Sequence, residues 1–287
     1  MSKAVIGIIG GSGVYNIEGV KVIDEVDVDT PYGKTSDKII ICEINGANVA
    51  FLPRHGKGHF LLPTEVPYRA NIYALKSLGV ETILSVSAVG SLKEEIKPQD
   101  FVIPNQLIDR TRQRDVSFLG DGVVGHIAFA EPFCHSLSDY LYNAIKEKKV
   151  VDVHQNETYL CMEGPLFSTK AESHLYRSWG CGIIGMTALP EAKLAREAEM
   201  CYATIAMSTD YDCWHEEEES VTVEMIMENM HANVTKVKTI LVDLVANVPN
   251  LSSCSCRSAA KDAIITDRSI ISEKRKKELE LLYGKYL

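Results

Sequence analysis

The sequence predicts an α/β protein whose core is a central mixed, largely parallel twisted sheet flanked by helices. Apolar runs rich in Val, Ile and Leu alternate with helical patterns along the whole chain, as expected for strands and helices that build one sheet structure. Several runs are almost continuously apolar, which is typical of strands that helices cover on both faces. Because no repeat, low-complexity tract or clear linker divides the chain, residues 1–287 are expected to form a single domain.

Each predicted element follows from its local pattern. Strands are predicted over 4–10, 38–44, 48–53, 81–90, 100–104, 157–163, 181–187 and 201–208. Helices are predicted over 64–77, 136–148, 169–178, 189–199 and 221–248, with a terminal helix in 274–287. The longest of them has apolar residues spaced three and four apart, which predicts one buried face. The segment 252–262 is predicted to be a loop.

Composition and charge exclude several classes of function. The chain has 287 residues, 46% of them hydrophobic and 24% charged, and a formal net charge of -9. We therefore expect no nucleic-acid partner and no membrane partner, because both require a basic face. No apolar run approaches the ~20 residues of a transmembrane helix, and the first segment lacks the features of a secretion signal. A cytoplasmic location is expected, with nuclear presence as the alternative.

The eight cysteines are expected to be buried free thiols. They lie at positions 42, 134, 161, 181, 201, 213, 254 and 256, mostly in apolar stretches, as in proteins of a reducing compartment. Cys254 and Cys256 form a C-x-C pair, which suits either a disulfide or half of a zinc site. Since no matching pair of ligands lies nearby in the chain, no metal site is expected.

Two segments that follow predicted strands have the composition of anion-binding loops. The first strand runs into a glycine turn that contains Ser12, where backbone N–H groups can approach an anion closely. Its register, G-x-x-G-G-x-G, matches neither the dinucleotide fingerprint nor the P-loop. The segment PRHGKGH (53–59) places Arg54, His55, Lys57 and His59 in one cationic loop. A guanidinium suits a bidentate oxyanion contact, and the alternative is a solvated surface loop.

Further polar residues follow other predicted strands. Ser87 lies at the end of one, and ligands of open α/β sheets bind beyond the carboxyl ends of strands. Ser12, Arg54, His55 and Ser87 are therefore expected to converge.

An aromatic side chain, a methionine and two carboxylates also lie near the ends of predicted strands. Phe167 could stack on a flat ring and Met186 could pack against a sugar, with ordinary core filling as the alternative. Asp210 and Asp212 follow a buried strand, which indicates a polar reader at a pocket; the alternative is an Asp-rich turn.

The motifs together resemble one known family. GIIGGSG, DTPYGKTSD, RHGKGH, SAVGSL, EGPLFST, GMTALPE and MSTDYDCW occur in family order over about residues 4–245. The chain resembles the trimeric purine nucleoside phosphorylases, and within them the members that act on 5'-methylthioadenosine. The resemblance implies a nucleoside phosphorylase-like fold, a homotrimer, and no cofactor, since inorganic phosphate is a co-substrate. It implies phosphorolysis of 5'-methylthioadenosine to adenine and 5-methylthioribose 1-phosphate in purine and methionine salvage, with adenosine as a secondary substrate.

The resemblance also implies roles for individual residues. The implied phosphate ligands are Ser12, Arg54, His55, Ser87, the Ala88 backbone N–H and Thr187. The implied nucleoside contacts are Phe167, Ser168, Met186, Asp210 and Asp212. The implied 5'-alkylthio pocket comprises His59, Val223, Ile226 and His126, the last donated by a neighbouring subunit.

The chemistry of this reaction fits these residue types. Cleavage of the glycosidic bond passes through an oxocarbenium-like state, and phosphate attacks it without a protein nucleophile. Purine leaves more readily when N7 is protonated, so Asp210 is the candidate donor, with Asp212 favouring its protonated form. A carboxylate also accepts a hydrogen bond from a 6-amino group, which favours adenine. The alternative is a phosphorylase acting on inosine or guanosine; a non-catalytic nucleoside-binding protein is a further hypothesis.

Four positions depart from the family's usual pattern. Ser12 and Ser87 stand where Thr is common, which is expected to shift phosphate affinity. Gly185 replaces an Asn before the Met-Thr pair and is expected to alter nucleoside positioning. Leu166 replaces an Arg and is expected to alter a surface or interface contact.

Overall fold

The structure is a computed structural model that describes residues 4–11, 20–215 and 223–287, and for residues 223–225 the backbone alone. Its strands are β1 (Ile6–Gly10), β2 (Lys21–Val26), β3 (Ile39–Ile44), β4 (Ala47–Pro53), β5 (Thr82–Ser91), β6 (Phe101–Arg110), β7 (Val153–Met162), β8 (Ile183–Gly185) and β9 (Cys201–Asp210). Its helices are α1 (Tyr68–Ser77), α2 (His135–Lys148), α3 (Lys170–Ser178), α4 (Ala188–Glu197), α5 (Val223–Ala246) and α6 (Glu273–Tyr283). Short 3₁₀ helices lie at Ser255–Ser258 and Arg268–Ile270.

The strands of the described residues form one mixed sheet in the order β2-β3-β4-β1-β5-β8-β7-β6-β9. The pairs β1–β4, β1–β5, β5–β9, β6–β7 and β7–β8 are parallel, and the other pairs are antiparallel. Since β5 also pairs with β9, strands β5, β8, β7, β6 and β9 close into a ring. The predicted mixed, largely parallel sheet is confirmed.

Helices cover both faces of the sheet and bury its apolar side chains. One core cluster joins the sheet to α1, α4 and α6, and another joins it to α2 and α5. All five residues of β1 are buried, as expected for a parallel strand covered on both sides. No described helix is both long and apolar enough to cross a membrane.

Several predicted boundaries were wrong, and each has a local reason. The helix predicted from residue 64 begins at Tyr68, because Pro67 restricts the residue before it to extended conformations. Strand β2 escaped prediction because it is an edge strand whose residues are nearly all exposed and show no apolar pattern. Strand β6 extends to Arg110 because its pairing with β7 continues beyond the apolar run.

The parallel strands bring the carboxyl ends of distant segments to one edge of the sheet. In the parallel registers Gly10 is paired with Pro53, and Gly90 is paired with Asp210. The cationic loop therefore follows β4, Ser87 lies in the second half of β5, and Asp210 ends the neighbouring strand β9. This edge is where an open α/β sheet forms a ligand site.

Candidate functional site

Arg54 lies at the end of β4 and is 2% exposed. Its Nε donates to Glu191 Oε2 at 2.8 Å, and its Nη2 donates to Glu191 Oε1 at 3.0 Å. Burial favours the neutral form of the guanidinium, but the Glu191 carboxylate outweighs it and raises the pKa of Arg54 above its ordinary value. The Glu191 carboxylate is thus the bidentate oxyanion partner of Nε and Nη2 of Arg54.

The same guanidinium connects three strands. Nη1 donates to the Val86 carbonyl at 3.1 Å, and Nη2 donates to Ser85 Oγ at 2.7 Å and to the Ile9 carbonyl at 3.3 Å. Arg54 therefore fixes β1 and β5 beside β4. Nη1 keeps one N–H that none of these contacts occupies, so Arg54 can still donate to a ligand above the strand ends.

The hydroxyl groups of Ser87 and Thr187 come together although 100 residues separate them in the chain. Both side chains adjoin the fully buried phenol of Tyr159. Burial raises the pKa of Tyr159, and the nearby Ser87 and Thr187 hydroxyls oppose that shift. Among the described residues, the Ser87 Oγ has no hydrogen-bond partner, although Ser87 is only 7% exposed. The Ser87 hydroxyl can therefore donate to a ligand that enters this region.

Tyr159 explains one departure from the family pattern. A Cβ added at Gly185 would collide with the Tyr159 hydroxyl and ring. The space that the Asn side chain would require is therefore filled by Tyr159, so glycine at 185 is a packing requirement of this chain.

The Ala88 backbone N–H points towards the same ligand region. Backbone groups two residues apart on a strand face the same edge, so this N–H lies on the side where the Val86 carbonyl meets Arg54. Within the described residues, β1 pairs with β5 only as far as Ser85, and β8 begins its pairing at Gly90. The Ala88 N–H thus faces a gap between two strands.

His55 is a neutral histidine of defined tautomer. Its Nδ1 lies 2.8 Å from the Leu61 carbonyl, so Nδ1 carries the proton and Nε2 is an acceptor. Burial and the charge of Arg54 lower the pKa of His55 to about 4. The His59 ring stacks on it at a centroid distance of 4.4 Å. In contrast, Lys57 is exposed and its backbone N–H is bonded to Asp37.

Asp210 and Asp212, the carboxylate pair, are linked at the end of β9 by a backbone-to-side-chain hydrogen bond. Asp210 Oδ2 accepts from the Thr209 hydroxyl at 2.7 Å, and Oδ1 accepts from the Asp212 backbone N–H at 2.8 Å. Asp212 has a φ of 50°, a conformation that Asp tolerates. Burial raises the pKa of Asp212, and neighbouring donors such as Ser173 oppose the shift. A Cβ at Gly90 would lie 3.0 Å from Asp210 Oδ1, so glycine permits this close approach.

The segments after β7 and β8 lie beside the carboxylate pair. The Cys213 thiol donates to the Ser168 carbonyl at 3.2 Å. Met186 lies against Gly164, where a Cβ would overlap its side chain. Phe167 is 58% exposed and Leu166 is 81% exposed, so neither side chain fills the core of this chain.

Arg114 holds these two segments, and the sequence did not single it out. Its Nη1 donates to the Met186 carbonyl at 2.6 Å and to the Leu189 carbonyl at 2.5 Å. Its Nε donates to Glu163 Oε1 at 3.0 Å. Arg114 therefore positions the backbone that carries Met186. Glu191 was not predicted as the partner of Arg54, because a buried ion pair between residues 137 positions apart leaves no local pattern in the sequence.

Helix α5 is fixed against the end of β9. Asn229 Nδ2 donates to the Thr209 carbonyl and Asn233 Nδ2 to the Ser208 carbonyl, both at 2.8 Å. Ile226 is half-buried and lies one turn before Asn229 on the same helix face. It is therefore brought towards the carboxylate pair.

Ser12, Val223 and His126 complete the set of expected site residues. Ser12 and the side chain of Val223 lie outside the described residues. His126 is exposed in the segment between β6 and α2, and its backbone N–H donates to the Ala263 carbonyl at 2.9 Å.

Comparison with known proteins defines the class. The family model described as the phosphorylase superfamily matches residues 5–246, so the chain belongs to the phosphorylase superfamily. Its relatives narrow this class. The S-methyl-5'-thioadenosine phosphorylase of Thermosynechococcus vestitus is 55% identical, with 99% of each chain covered. That of Geobacter sulfurreducens is 52% identical, covering 99% of this chain and 100% of the relative.

Solved structures agree with the sequence relatives. A methylthioadenosine phosphorylase from an antarctic soil metagenomic library is 47% identical, with a TM-score of 0.92 and coverage of 98% of this chain and 99% of the other. A methylthioadenosine phosphorylase from Schistosoma mansoni in complex with adenine is 36% identical, with a TM-score of 0.86 and coverage of 94% and 100%. The predicted family and fold are confirmed.

Proposed function

We propose that this chain catalyses the phosphorolysis of 5'-methylthioadenosine by inorganic phosphate, which yields adenine and 5-methylthioribose 1-phosphate. The observation that carries the proposal is the unpaired, buried Ser87 hydroxyl beside Thr187 and Arg54, on strands adjacent to the Asp210–Asp212 pair. Relatives that match the whole chain and carry the name S-methyl-5'-thioadenosine phosphorylase support the same activity.

Phosphate is held mainly by neutral donors in this proposal. The Ser87 and Thr187 hydroxyls, the Ala88 N–H and the remaining Nη1 hydrogen of Arg54 surround it, with Ser12 closing the site from the glycine turn. Because the Glu191 carboxylate balances the charge of Arg54, the site does not trap the dianion too tightly for turnover. His55 Nε2 is an acceptor at neutral pH, so it pairs with the hydroxyl of HPO₄²⁻.

The carboxylate pair acts on the purine. One oxygen of Asp210 accepts from the 6-amino group, and Asp210 is the proposed donor to N7, with the neighbouring Asp212, whose pKa is raised by burial, favouring the protonated form of Asp210. Leaving-group protonation by a positioned acid typically contributes 10²–10⁴-fold. Phosphate, placed below the anomeric carbon, stabilises the cationic sugar and then bonds to it, so the reaction needs no cofactor. Phe167, Ser168 and Met186 line the nucleoside.

The 5'-methylthio group completes the site. Val223, Ile226 and His59 surround it, and His126 of a neighbouring subunit closes the pocket, so the active form is a homotrimer. Apolar side chains at 223 and 226 favour a methylthio group over a hydroxyl by ~0.8 kcal/mol per buried methylene-sized group. Adenosine is therefore a slower substrate.

An activity assay with paired substrates tests the proposal. Base release is measured from 5'-methylthioadenosine and from inosine, each with and without phosphate. We expect phosphate-dependent adenine release and a clear preference for 5'-methylthioadenosine. A preference for inosine, or release that does not depend on phosphate, would contradict the proposal. Light scattering tests the assembly, with an expected mass of three 31.8 kDa chains.

A further inference from the structure

Four cysteines that are distant in the chain meet at one point of the fold. Cys134 precedes α2, Cys201 begins β9, and Cys254 and Cys256 lie at the 3₁₀ helix Ser255–Ser258. Their four Sγ atoms all lie within 4.8 Å of one another, and Cys134 Sγ is 3.6 Å from Cys254 Sγ. Cys254 is half-buried and the other three are buried. The C-x-C pair thus finds the second pair of ligands that its neighbourhood in the sequence lacks.

The spacing of the sulfur atoms fits a tetrahedral metal site. A zinc ion bound by four thiolates has Zn–S distances of about 2.3 Å, which puts the sulfur atoms about 3.8 Å apart. A disulfide would require about 2.05 Å between two of them. Each Sγ of the cluster reaches a common centre with a shift of less than about 1 Å.

The backbone around the cluster is well anchored. The Cys134 N–H donates to the Tyr202 carbonyl at 2.8 Å, and the Cys201 N–H donates to the Glu81 carbonyl at 2.9 Å. The Arg257 N–H donates to the Cys254 carbonyl at 2.9 Å. The ligands are therefore carried by hydrogen-bonded segments, which is the preorganisation that a structural site requires.

We propose that Cys134, Cys201, Cys254 and Cys256 bind one zinc ion in a closed structural site. All-thiolate tetrahedral ligation selects zinc or iron among common metals, and four protein ligands leave no open position for catalysis. Binding exchanges the thiol protons for the ion and oxidises nothing. The ion fastens the chain segment after α5 to the first residue of β9. It lies about 30 Å from Asp210, at the opposite end of the ten-residue strand.

Cobalt titration tests the site directly. The reduced, chelator-treated chain is titrated with Co²⁺, and tetrahedral cobalt–thiolate ligation is detected by its intense visible absorption. We expect one Co²⁺ per chain, displacement by Zn²⁺, and a rise in melting temperature with Zn²⁺. Cys256→Ser and the half-buried Cys254→Ser are expected to lose or strongly weaken the band. Cys181→Ser, which removes a buried cysteine outside the cluster, is the matched control and is expected to retain it.

Two outcomes would overturn the proposal. The first is a wild-type chain that folds but gives no tetrahedral cobalt band, or a band that the Cys254→Ser and Cys256→Ser variants retain. The second is a disulfide within the cluster, found by alkylation and mass spectrometry of protein purified from a reducing compartment.

Turnover of 5'-methylthioadenosine at 25 °C is expected to stay within about twofold in folded Cys254→Ser, since the site is remote from Asp210.

Discussion

Replacing Glu191 with alanine is expected to destabilise the protein strongly. The Arg54 and Glu191 side chains are each 2% exposed, and Glu191 also accepts from Ser85 and Tyr202, both at 2.8 Å. The variant leaves a charged guanidinium buried without its partner, which typically costs about 3–5 kcal/mol. At about 2–4 °C per kcal/mol for a chain somewhat smaller than this one, the melting temperature is expected to fall by roughly 6–20 °C.

The assay is urea and thermal unfolding at one fixed protein concentration, since oligomers unfold in a concentration-dependent way. Glu273→Ala removes an ion pair with Lys276 in which Glu273 is 88% exposed, and this control is expected to change stability by less than about 1 kcal/mol. The double variant Arg54→Met/Glu191→Leu removes both charges and is expected to recover part of the stability, since Ser85 and Tyr202 still lose their acceptor. It is expected to lose phosphate-dependent turnover because Arg54 is absent. A Glu191→Ala protein as stable as its Glu273→Ala control would refute the reasoning.

Three further predictions concern the site. Gly185→Ala is expected to cost about 1–3 kcal/mol by overpacking against Tyr159, whereas Gly11→Ala, whose added Cβ meets no described residue within 4 Å, is expected to cost less; thermal unfolding of both compares them. Asp210→Asn is expected to lower kcat/KM for 5'-methylthioadenosine roughly 10- to 100-fold, since an unpaired buried polar group costs about 1–3 kcal/mol; unchanged kinetics would remove Asp210 from purine recognition. The depressed pKa of His55, about 4, means that the unfolded chain binds a proton between about pH 6.5 and 4 that the native chain does not. The free energy of unfolding should therefore decrease as the pH is lowered from about 6.5 to about 4. Measured by urea unfolding at a series of pH values, this free energy should depend less on pH in His55→Asn than in the wild type.

The sequence predicted the fold where patterns are local. Nearly continuous apolar runs indicated β1, β4, β5 and β9, and their parallel order brings the predicted loops to one edge. The edge strand β2 was missed because it buries almost nothing. The start of the helix predicted from residue 64 was wrong for another reason, because Pro67 prevents the residue before it from adopting a helical conformation.

Only some features of the candidate site could be predicted from the sequence. Loops rich in glycine and cations predicted an anion site, but Lys57 in the cationic loop is exposed and Arg54 is buried. The partner of Arg54 depends on a contact between residues 137 positions apart. The close contact between Tyr159 and Gly185 likewise forms only when β7 pairs with β8. Such pairings are products of tertiary packing, and no local pattern in the sequence encodes them.

The proposed site brings one anion and one amine to the edge of the sheet that carries Ser87 and Asp210. A crystal structure with sulfate and 5'-methylthioadenosine measures both contacts at once. We predict sulfate within hydrogen-bond distance of the Ser87 and Thr187 hydroxyls and the Ala88 N–H, and the 6-amino group donating to Asp210. Sulfate bound elsewhere, or an adenine ring whose amino group faces away from Asp210, would contradict the account.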